Sequence, residues 1–271
     1  MAEVKVVDVV EGMERELALF CVPLAKRDDP AFLRGVEAKQ AWTREMLANR
    51  MPFAKLAYVG VQPVGMIQYE PYPDESLVHI LCIFVPEREH WQRGIGTQLF
   101  TALIEEMNKP QSWNGGRPAA AITTRTFPGE SHGQLSAREF FRKRGFQQIG
   151  EDPDFLILPL QPGFRYLPTR KPPKYEVQPE DARVALLIHG PSFCPWAYSF
   201  YLQAERLIRE AAPTVPIRWI DRAQEPEELR KRGGFTGVVV NGHPLLHSIS
   251  DIYDKDKENF AQEIREALGI A

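Results

Sequence analysis

The feature that most constrains the fold is an apolar run, LVHILCIFV, at residues 77–85. All of its side chains but one are apolar, which is typical of a strand covered on both faces. A short loop follows within WQRGIGTQLF, residues 91–100, and leads into a helix whose apolar residues recur at helical spacing. A buried strand that feeds a helix in this way predicts an α/β arrangement, with helices packed on a sheet.

The loop contains two glycines, Gly94 and Gly96, directly before the helix. The first amides of a helix lack intrahelical partners and lie at its positive end, so they can bind a phosphate, and glycine lets the phosphate approach them. A Walker loop is excluded because Thr97 and Gln98 stand where Lys and Ser or Thr would follow. A dinucleotide fingerprint is excluded because its third glycine is missing. The loop therefore predicts a pyrophosphate site of another class.

A proline-rich, charged segment at residues 161–183 divides the chain. Its prolines would interrupt a long helix or a central strand, which predicts a semi-extended linker. We therefore expect a first domain at residues 1–160 and a second at residues 184–271.

In the first domain the predicted order is β-α-α-β-β-β-loop-α-β-α-β-β. The first hairpin is expected to turn at Gln62 and Pro63, and Glu105 and Glu106 are expected to face away from the apolar side of the helix after the loop. The predicted strands lie at residues 4–10, 54–61, 64–69, 77–85, 119–124, 146–149 and 155–160, and helices lie at 14–24, 30–48 and 136–144.

The second domain has the predicted order β-α-β-α-β-β-α, which resembles a thioredoxin-like domain. Asn241 and Gly242 lie between its last two strands and are a strong signal for a two-residue hairpin turn.

Composition argues against several classes of protein. The net charge is −3, so no bulk attraction to nucleic acid is expected. Two basic clusters, residues 142–144 and 230–232, have acidic neighbours and are interpreted as solvated faces. No apolar segment reaches membrane-spanning length and no secretory leader is evident, so no membrane partner is expected. The three cysteines are far apart, which argues against a disulfide framework or a paired-cysteine zinc site and favours a cytoplasmic setting with no metal.

Several features together resemble the GNAT acetyltransferase superfamily. The buried strand ends in Ile83-Phe84-Val85-Pro86, and the glycine loop follows it. A later helix ends in FFRKRGF, residues 140–146, which matches the superfamily's aromatic-x-x-x-Gly-Phe ending. The strand order also fits. The resemblance covers residues 4–160 and implies a mixed sheet flanked by helices that binds acetyl-CoA.

By this resemblance, the backbone around residues 82–85 would pair with the pantetheine arm, and a main-chain N–H there would polarise the thioester. The loop amides would hold the pyrophosphate. The residues expected to bind acetyl-CoA are Ile83, Phe84, Val85, Gln92, Arg93, Gly94, Ile95, Gly96, Thr97 and Gln134.

Two positions depart from the superfamily's pattern. Trp91 stands where Arg or Gln is usual, so Gln92 and Arg93 are expected to supply the polar contact. Phe141 stands where many members carry the tyrosine that reprotonates the departing thiolate, and phenylalanine cannot donate a proton. Another group, or water, would then do so, or the domain binds CoA without turnover.

Transfer of an acyl group to an amine requires a base, often acting through water, that takes the amine's proton. Histidine is the side chain that titrates in the required range, and His79 lies in the buried strand, with a satisfied core histidine as the alternative. Glu70 lies where the superfamily's third strand lines the acceptor pocket, and His132 follows a central strand. Cys82 is interpreted as a core residue.

In the second domain, Cys194 lies at the start of a predicted helix, where the helix N-terminus stabilises a thiolate. The usual partner cysteine is replaced by Ala197, so the site is either a one-cysteine thiol or soft-metal site or a degenerate module for packing or dimerisation. Together with Cys82 and Trp42, the Cys194-Pro195 pair resembles the two-domain YoaP-like acetyltransferases.

The sequence thus predicts an acetyl-CoA-dependent N-acetyltransferase. Its expected partner is a small-molecule amine acceptor, with a homodimer as a further option. The alternatives are a non-catalytic CoA-binding protein with a protein-interaction domain and a thiol- or metal-handling protein centred on Cys194.

Overall fold

The computed structural model contains two compact units. It describes residues 3–126, 135–166, 173–190, 192–222, 224–245 and 257–270. The first unit comprises residues 1–13 and 45–170, and the second comprises residues 14–44 and 171–271. Residues 14–44, which the sequence assigns to the first domain, therefore group with the C-terminal part of the chain.

The first unit is built on a seven-stranded mixed sheet. Its strands are β1 (Val4–Asp8), β2 (Ala54–Val59), β3 (Gln62–Tyr72), β4 (Leu77–Phe84), β5 (Ala121–Arg125), β6 (Gln147–Gln148) and β7 (Phe155–Pro159). The order is β1-β2-β3-β4-β5-β7-β6, and only β4 and β5 are parallel. This confirms the predicted mixed sheet. The first hairpin turns at Gly60 and Val61, because Gln62 and Pro63 already pair with β2, so the predicted turn position was wrong.

Two helices of the first unit flank this sheet, α3 (Ile95–Met107) and α4 (Ala137–Arg142). The apolar face of α3 packs on the face of the sheet that carries Tyr69 and Val78, and these residues form one core cluster. Gly65 in β3 admits the first turn of α3, since a Cβ there would lie 2.7 Å from the Ile95 side chain.

A β-bulge divides the central strand β4 into two halves. Gln68 pairs with Cys82 but Tyr69 pairs with Ile80, which leaves Leu81 as an extra residue in β4. The extra residue lets both Ile80 and Ile83 face the core cluster under α3, although they are three residues apart. The parallel pairing of β4 with β5 covers Leu77–Ile80 only. Beyond the bulge, therefore, β4 parts from β5.

A buried lysine connects β2 to its neighbours. Lys55 is 5% exposed and forms ion pairs with Asp8 and with Glu106, the latter at 2.7 Å. Burial lowers the pKa of Lys55, but the two carboxylates raise it further, so the ammonium form persists. Tyr69 donates to Glu106 at 2.8 Å. Glu105 is exposed as predicted, whereas Glu106 is half-buried in this network, so the expectation that it faces away was wrong.

The second unit contains a four-stranded sheet and five α-helices among its described residues. The strands are β8 (Ala185–His189), β9 (Ile217–Asp221), β10 (Gly237–Val240) and β11 (His243–Pro244). The helices are α1 (Glu14–Phe20), α2 (Pro30–Ala48), α5 (Trp196–Ala211), α6 (Pro226–Lys231) and α7 (Lys257–Leu268). The sheet order is β11-β10-β8-β9, with β8 and β9 parallel and the other pairs antiparallel.

Two predictions for the second unit have different outcomes. The predicted hairpin turn is confirmed, whereas the interpretation of the basic cluster is not. Asn241 and Gly242 both adopt positive φ, 50° and 78°, which is the two-residue turn expected between β10 and β11. Arg232, in contrast, is fully buried and pairs with Asp181 at 2.5 Å. The interpretation of residues 230–232 as a wholly solvated face was therefore wrong.

Candidate acetyl-CoA site

The glycine loop leaves the N-terminus of α3 open. Gly94 has a φ of 76°, and a Cβ added there would meet nothing within 4 Å. The helix begins at Ile95, so the amides of Ile95, Gly96 and Thr97 have no partner within the helix. Gln92 also adopts a left-handed φ of 59° and is exposed, as is Arg93. This arrangement fits an anionic group such as a pyrophosphate, because free amides and the positive helix end face open space.

The second glycine also has a role in packing. A Cβ on Gly96 would lie 3.2 Å from the Phe140 ring and 3.8 Å from Ile83. Gly96 therefore permits the close packing of α3 against α4 and β4, while Gly94 supplies the backbone conformation of the loop.

Arg144 lies beside the first turn of α3. Its guanidinium donates to the Thr97 hydroxyl and, at 2.7 Å, to the Phe140 carbonyl, and it covers the Phe140 ring at 3.5 Å. Burial lowers the pKa of Arg144 from its ordinary value, yet a guanidinium remains charged at neutral pH. Arg142 and Lys143 are exposed but Arg144 is half-buried, so a solvated face does not describe the whole cluster. The basic run in the sequence does not indicate that one of its members reaches the loop.

Trp91, which stands where a polar residue is usual, links the strand end to the loop. Its indole N–H donates to the Val85 carbonyl at 2.9 Å, and the Arg88 guanidinium lies 5.6 Å from its ring. The tryptophan therefore anchors the loop through its one polar atom.

The parted half of β4 contains the strand residues expected to bind the cofactor. Ile83 and Phe84 pair with β3 on one side only, and both are half-buried. Val85 follows the strand and packs at the edge of the core cluster. Because β5 does not continue alongside, this edge of the backbone borders the opening between β4 and β5.

His79 and Glu70, two of the predicted bases, lie directly opposite each other on β4 and β3. The His79 Nδ1 atom is 3.0 Å from the Thr123 hydroxyl, and its ring stacks on Tyr72 at 5.7 Å. Both candidates are half-buried and lie on the face of the sheet away from α3. The structure thus brings them together beside the strand that parts from β5.

The remaining predicted residues of the first domain have different outcomes. His132 and Gln134 lie outside the described residues. Phe141 is 2% exposed, with its ring 5.0 Å from that of Phe146, and is a core residue. Cys82, interpreted as a core residue, is half-buried rather than fully enclosed.

Cys194 precedes α5 in the second unit, as expected, and is partly exposed. Burial raises the pKa of its thiol, and so does the nearby Cys21; together they outweigh the lowering by Lys39 and by the backbone of Trp196 and Ala197. The helix N-terminus is therefore present, but its effect on the thiol is the smaller one.

The described residues also bear on two other kinds of site. No group of three or more His, Cys, Asp or Glu side chains in this part of the chain could hold a metal ion. Among the same residues, none of the helices combines the length and the apolar character needed to cross a bilayer.

The chain is similar to acetyltransferases of known structure. A GNAT-family acetyltransferase from Staphylococcus aureus Mu50 is 18% identical and covers 59% of this chain and 100% of its own, with a TM-score of 0.41. One from Brucella melitensis, in complex with acetyl-CoA, is 15% identical over 61% of this chain and 93% of its own, with a TM-score of 0.40. N-acetylglutamate synthase from Neisseria gonorrhoeae, complexed with coenzyme A and L-arginine, is 15% identical over 59% of this chain and 34% of its own, with a TM-score of 0.37.

No curated protein matches the chain significantly. Residues 21–146 match the sequence model described as the acetyltransferase (GNAT) family. This span contains the glycine loop, Arg144 and both halves of β4. Residues 21–146, a little under half of the chain, are therefore similar to the acetyltransferase (GNAT) family, whose members use acetyl-CoA.

Proposed function

We propose that this chain transfers the acetyl group of acetyl-CoA to an amine of a small-molecule acceptor. The observation that carries the proposal is the parting of β4 from β5 next to an open helix N-terminus. The two features together offer a phosphate-binding end and a strand edge along which an extended thiol arm can lie. The family match favours an acyltransferase over a non-catalytic CoA-binding protein.

The chain's own residues account for binding of such a cofactor. The amides of residues 95–97 receive the pyrophosphate, and Arg144 adds a positive charge at the same place. The backbone of residues 83–85 receives the pantetheine arm, and Gln92 and Arg93 lie exposed at the loop. When bound, the cofactor supplies an acyl group already activated as a thioester.

His79 is the base in this proposal. Neutral imidazole accepts a proton near neutral pH, which an amine must lose before it attacks a carbonyl. Thr123 holds Nδ1 and Tyr72 stacks on the ring, so the orientation of His79 is fixed. Glu70, opposite on β3, positions a cationic amine beside it. The proton for the departing thiolate does not come from Phe141, which is a hydrocarbon in the core.

The experiment is a thiol-release assay with a panel of amines, run beside calorimetric titration with acetyl-CoA. We expect saturable acetyl-CoA binding and turnover with at least one amine. For His79→Ala we expect kcat lower by about 100-fold or more with unchanged acetyl-CoA affinity, because only proton removal is lost. His243→Ala, which changes an exposed histidine of the other unit, is the matched control.

Two results would contradict the proposal. Binding without turnover on any amine would point to the CoA-binding alternative, and absence of binding would end both. Equal loss of kcat in both histidine variants would remove His79 from its role.

Residues 184–271 support the further proposal of a thioredoxin-like domain. The order β9-β8-β10-β11, with only β8 and β9 parallel, is compatible with it, as is the packing of α5 and α7 in one core cluster. Division at the linker, a cytoplasmic setting and a homodimer stay predictions.

A further inference from the structure

The second unit places the segment that carries Cys21 beside the segment that carries Cys194, although the two are far apart in the sequence. Cys21 follows α1, and Cys194 precedes α5. The indole N–H of Trp196, two residues after Cys194, donates to the Cys21 carbonyl at 2.8 Å. The Trp196 ring also meets Phe32 of α2 edge-on, with centroids 4.9 Å apart. These contacts fix the start of α5 against the segment that carries Cys21.

Helix α2 contacts the residues on both sides of Cys194. A Cβ on Gly35 would lie 2.4 Å from the Pro195 carbonyl oxygen, so only glycine allows this approach. The Phe193 ring lies 6.2 Å from that of Trp42. Cys194 is therefore held between two residues that both pack on α2, rather than standing at the tip of an unattached loop.

The same helix directs a buried cation at Cys21. Lys39 is 0% exposed, and its ammonium donates to the Cys21 sulfur at 3.2 Å. An ammonium taken out of water is costly unless a partner compensates it, and a thiolate compensates it better than a thiol does. The Lys39 charge also acts on the second cysteine, where it opposes the effect of burial on the pKa of Cys194.

We propose that Cys21 and Cys194 form a thiol–disulfide exchange centre that reacts with low-molecular-weight disulfides. The centre is independent of acetyl transfer, since all the contacts that define it lie in the second unit. It differs from the one-cysteine site expected from the sequence, because the second sulfur comes from the N-terminal part of the chain instead of from position 197.

The reaction proceeds in two exchange steps. The Cys194 thiolate attacks one sulfur of the disulfide RS–SR, which forms a mixed disulfide and releases one thiol, RSH, with a proton from solvent. Cys21 then gives up its proton and attacks the Cys194 sulfur, which releases the second RSH and leaves a Cys21–Cys194 disulfide. The substrate is reduced by two electrons and the two cysteines are oxidised by two. Cys194 acts first because it is partly exposed, whereas Cys21 is 8% exposed.

The test uses the full chain with glutathione disulfide as the probe, followed by intact-mass measurement and peptide mapping. We expect the wild-type protein to lose two hydrogens, retain no glutathione and contain a peptide link between residues 21 and 194. Cys21→Ser should retain one glutathione on Cys194, because the second step is absent. Cys82→Ser, which alters the remaining cysteine, is the matched control and should behave as wild type.

Two outcomes overturn the proposal. One is a stable glutathione adduct on the wild-type protein at the level seen in Cys21→Ser, and the other is a wild-type protein that keeps all its thiols. Should Cys21→Ser fail to fold, the peptide map of the wild-type protein decides the question by itself.

Lys39 is a positioning residue in this centre. In Lys39→Met, we expect the mixed disulfide to persist about tenfold longer or more, the scale of one charge-assisted hydrogen bond. An unchanged lifetime in a folded variant would remove Lys39 from the mechanism. Lys39→Arg should restore a short lifetime if the positive charge is what matters.

Discussion

The two units each place a helix N-terminus just after a strand, and they use it in different ways. In the first unit Gly94 leaves open space in front of α3, so its first amides can receive an external anion. In the second unit Cys194 and Pro195 fill the corresponding place before α5, and the backbone of Trp196 and Ala197 acts to lower the pKa of the Cys194 thiol. The same local geometry therefore serves an external ligand or a side chain, depending on whether the residues before the helix have side chains.

The surroundings of the two helix N-termini also differ. We call the N-terminus of α3 the open entry and that of α5 the enclosed entry. Near α3 the flanking groups are exposed or half-buried and include the cations Arg93 and Arg144. Near α5 the flanking residues are packed against α2, and Lys39 is buried. An open entry can exchange its ligand with solvent, whereas an enclosed one restricts which molecules reach the sulfur.

The largest expected effect is on the enclosed entry. Gly35→Val should lower the free energy of unfolding by about 3 kcal/mol or more, because the new Cβ meets the Pro195 backbone, which cannot move aside cheaply. Denaturant unfolding measures this. Ala41→Val, on an exposed position of the same helix, is the control and should cost less than about 0.7 kcal/mol. An equal loss of unfolding free energy in the two variants would mean that the close contact of Gly35 with the Pro195 backbone is not needed for stability.

A pH effect comes next, at the strand that leads into Cys194. His189 is fully buried with both ring nitrogens unpartnered, and burial lowers its pKa to about 4. Asp221 on β9 acts to raise the pKa of His189 and Arg34 on α2 acts to lower it, and the Tyr198 ring of α5 lies 3.9 Å from the His189 ring, tilted by 34°.

Since this pKa lies below its unfolded value of 6.5, the unfolded chain binds more protons between the two values. Stability from this group is complete above about pH 6.5, falls as pH drops towards 4, and amounts to a few kcal/mol. Urea unfolding across this window should show the slope in wild type and a smaller one in His189→Phe. The same slope in both proteins would exclude His189 as its source.

At the open entry we expect a substitution to change acetyl-CoA affinity more than the stability of the fold. Gly94→Val requires a β-branched residue at positive φ, which costs about 1–2 kcal/mol, and it places a side chain in front of the amides. We expect acetyl-CoA binding weaker by about tenfold or more, as for loss of one charge-assisted hydrogen bond. Gly116→Val introduces a comparable strain away from any helix entry and should leave affinity unchanged. Calorimetric titration distinguishes them, and equal affinities would argue against a pyrophosphate at Gly94.

The smallest effect is expected at Arg144. Arg144→Gln removes a charge beside Thr97 and should weaken acetyl-CoA binding about three- to tenfold, more at low salt than at high salt. Arg142→Gln, at the exposed last residue of α4, is the matched control. A similar weakening in both would indicate only a diffuse charge effect.

Local patterns in the sequence were sufficient for much of the fold. The apolar run gave β4 to within one residue, and periodicity gave α2 with its observed bounds. The glycine loop and the Asn241-Gly242 turn were found because both rest on backbone conformations that few residues adopt.

Contacts between segments far apart in the sequence were not predicted, because the periodicity of apolar residues reports only on the local element. Glu106 has the spacing of a solvated residue, yet Tyr69 and Lys55 reach it from the sheet. In the sequence Arg144 is one of three similar cations, and only its hydrogen bond to Thr97 of α3 distinguishes it from the other two. The proximity of Cys21 to Cys194 could not be inferred, since their spacing in the sequence is uninformative.

The grouping of residues 14–44 with the C-terminal part makes the second unit discontinuous. The chain leaves the sheet of the first unit after β1, builds α1 and α2, and returns as β2. During synthesis these two helices emerge long before the strands with which they form a unit. Cutting the gene within the proline-rich segment would therefore not separate two complete folding units, because the apolar faces around Phe32 and Val36 would lose Trp196.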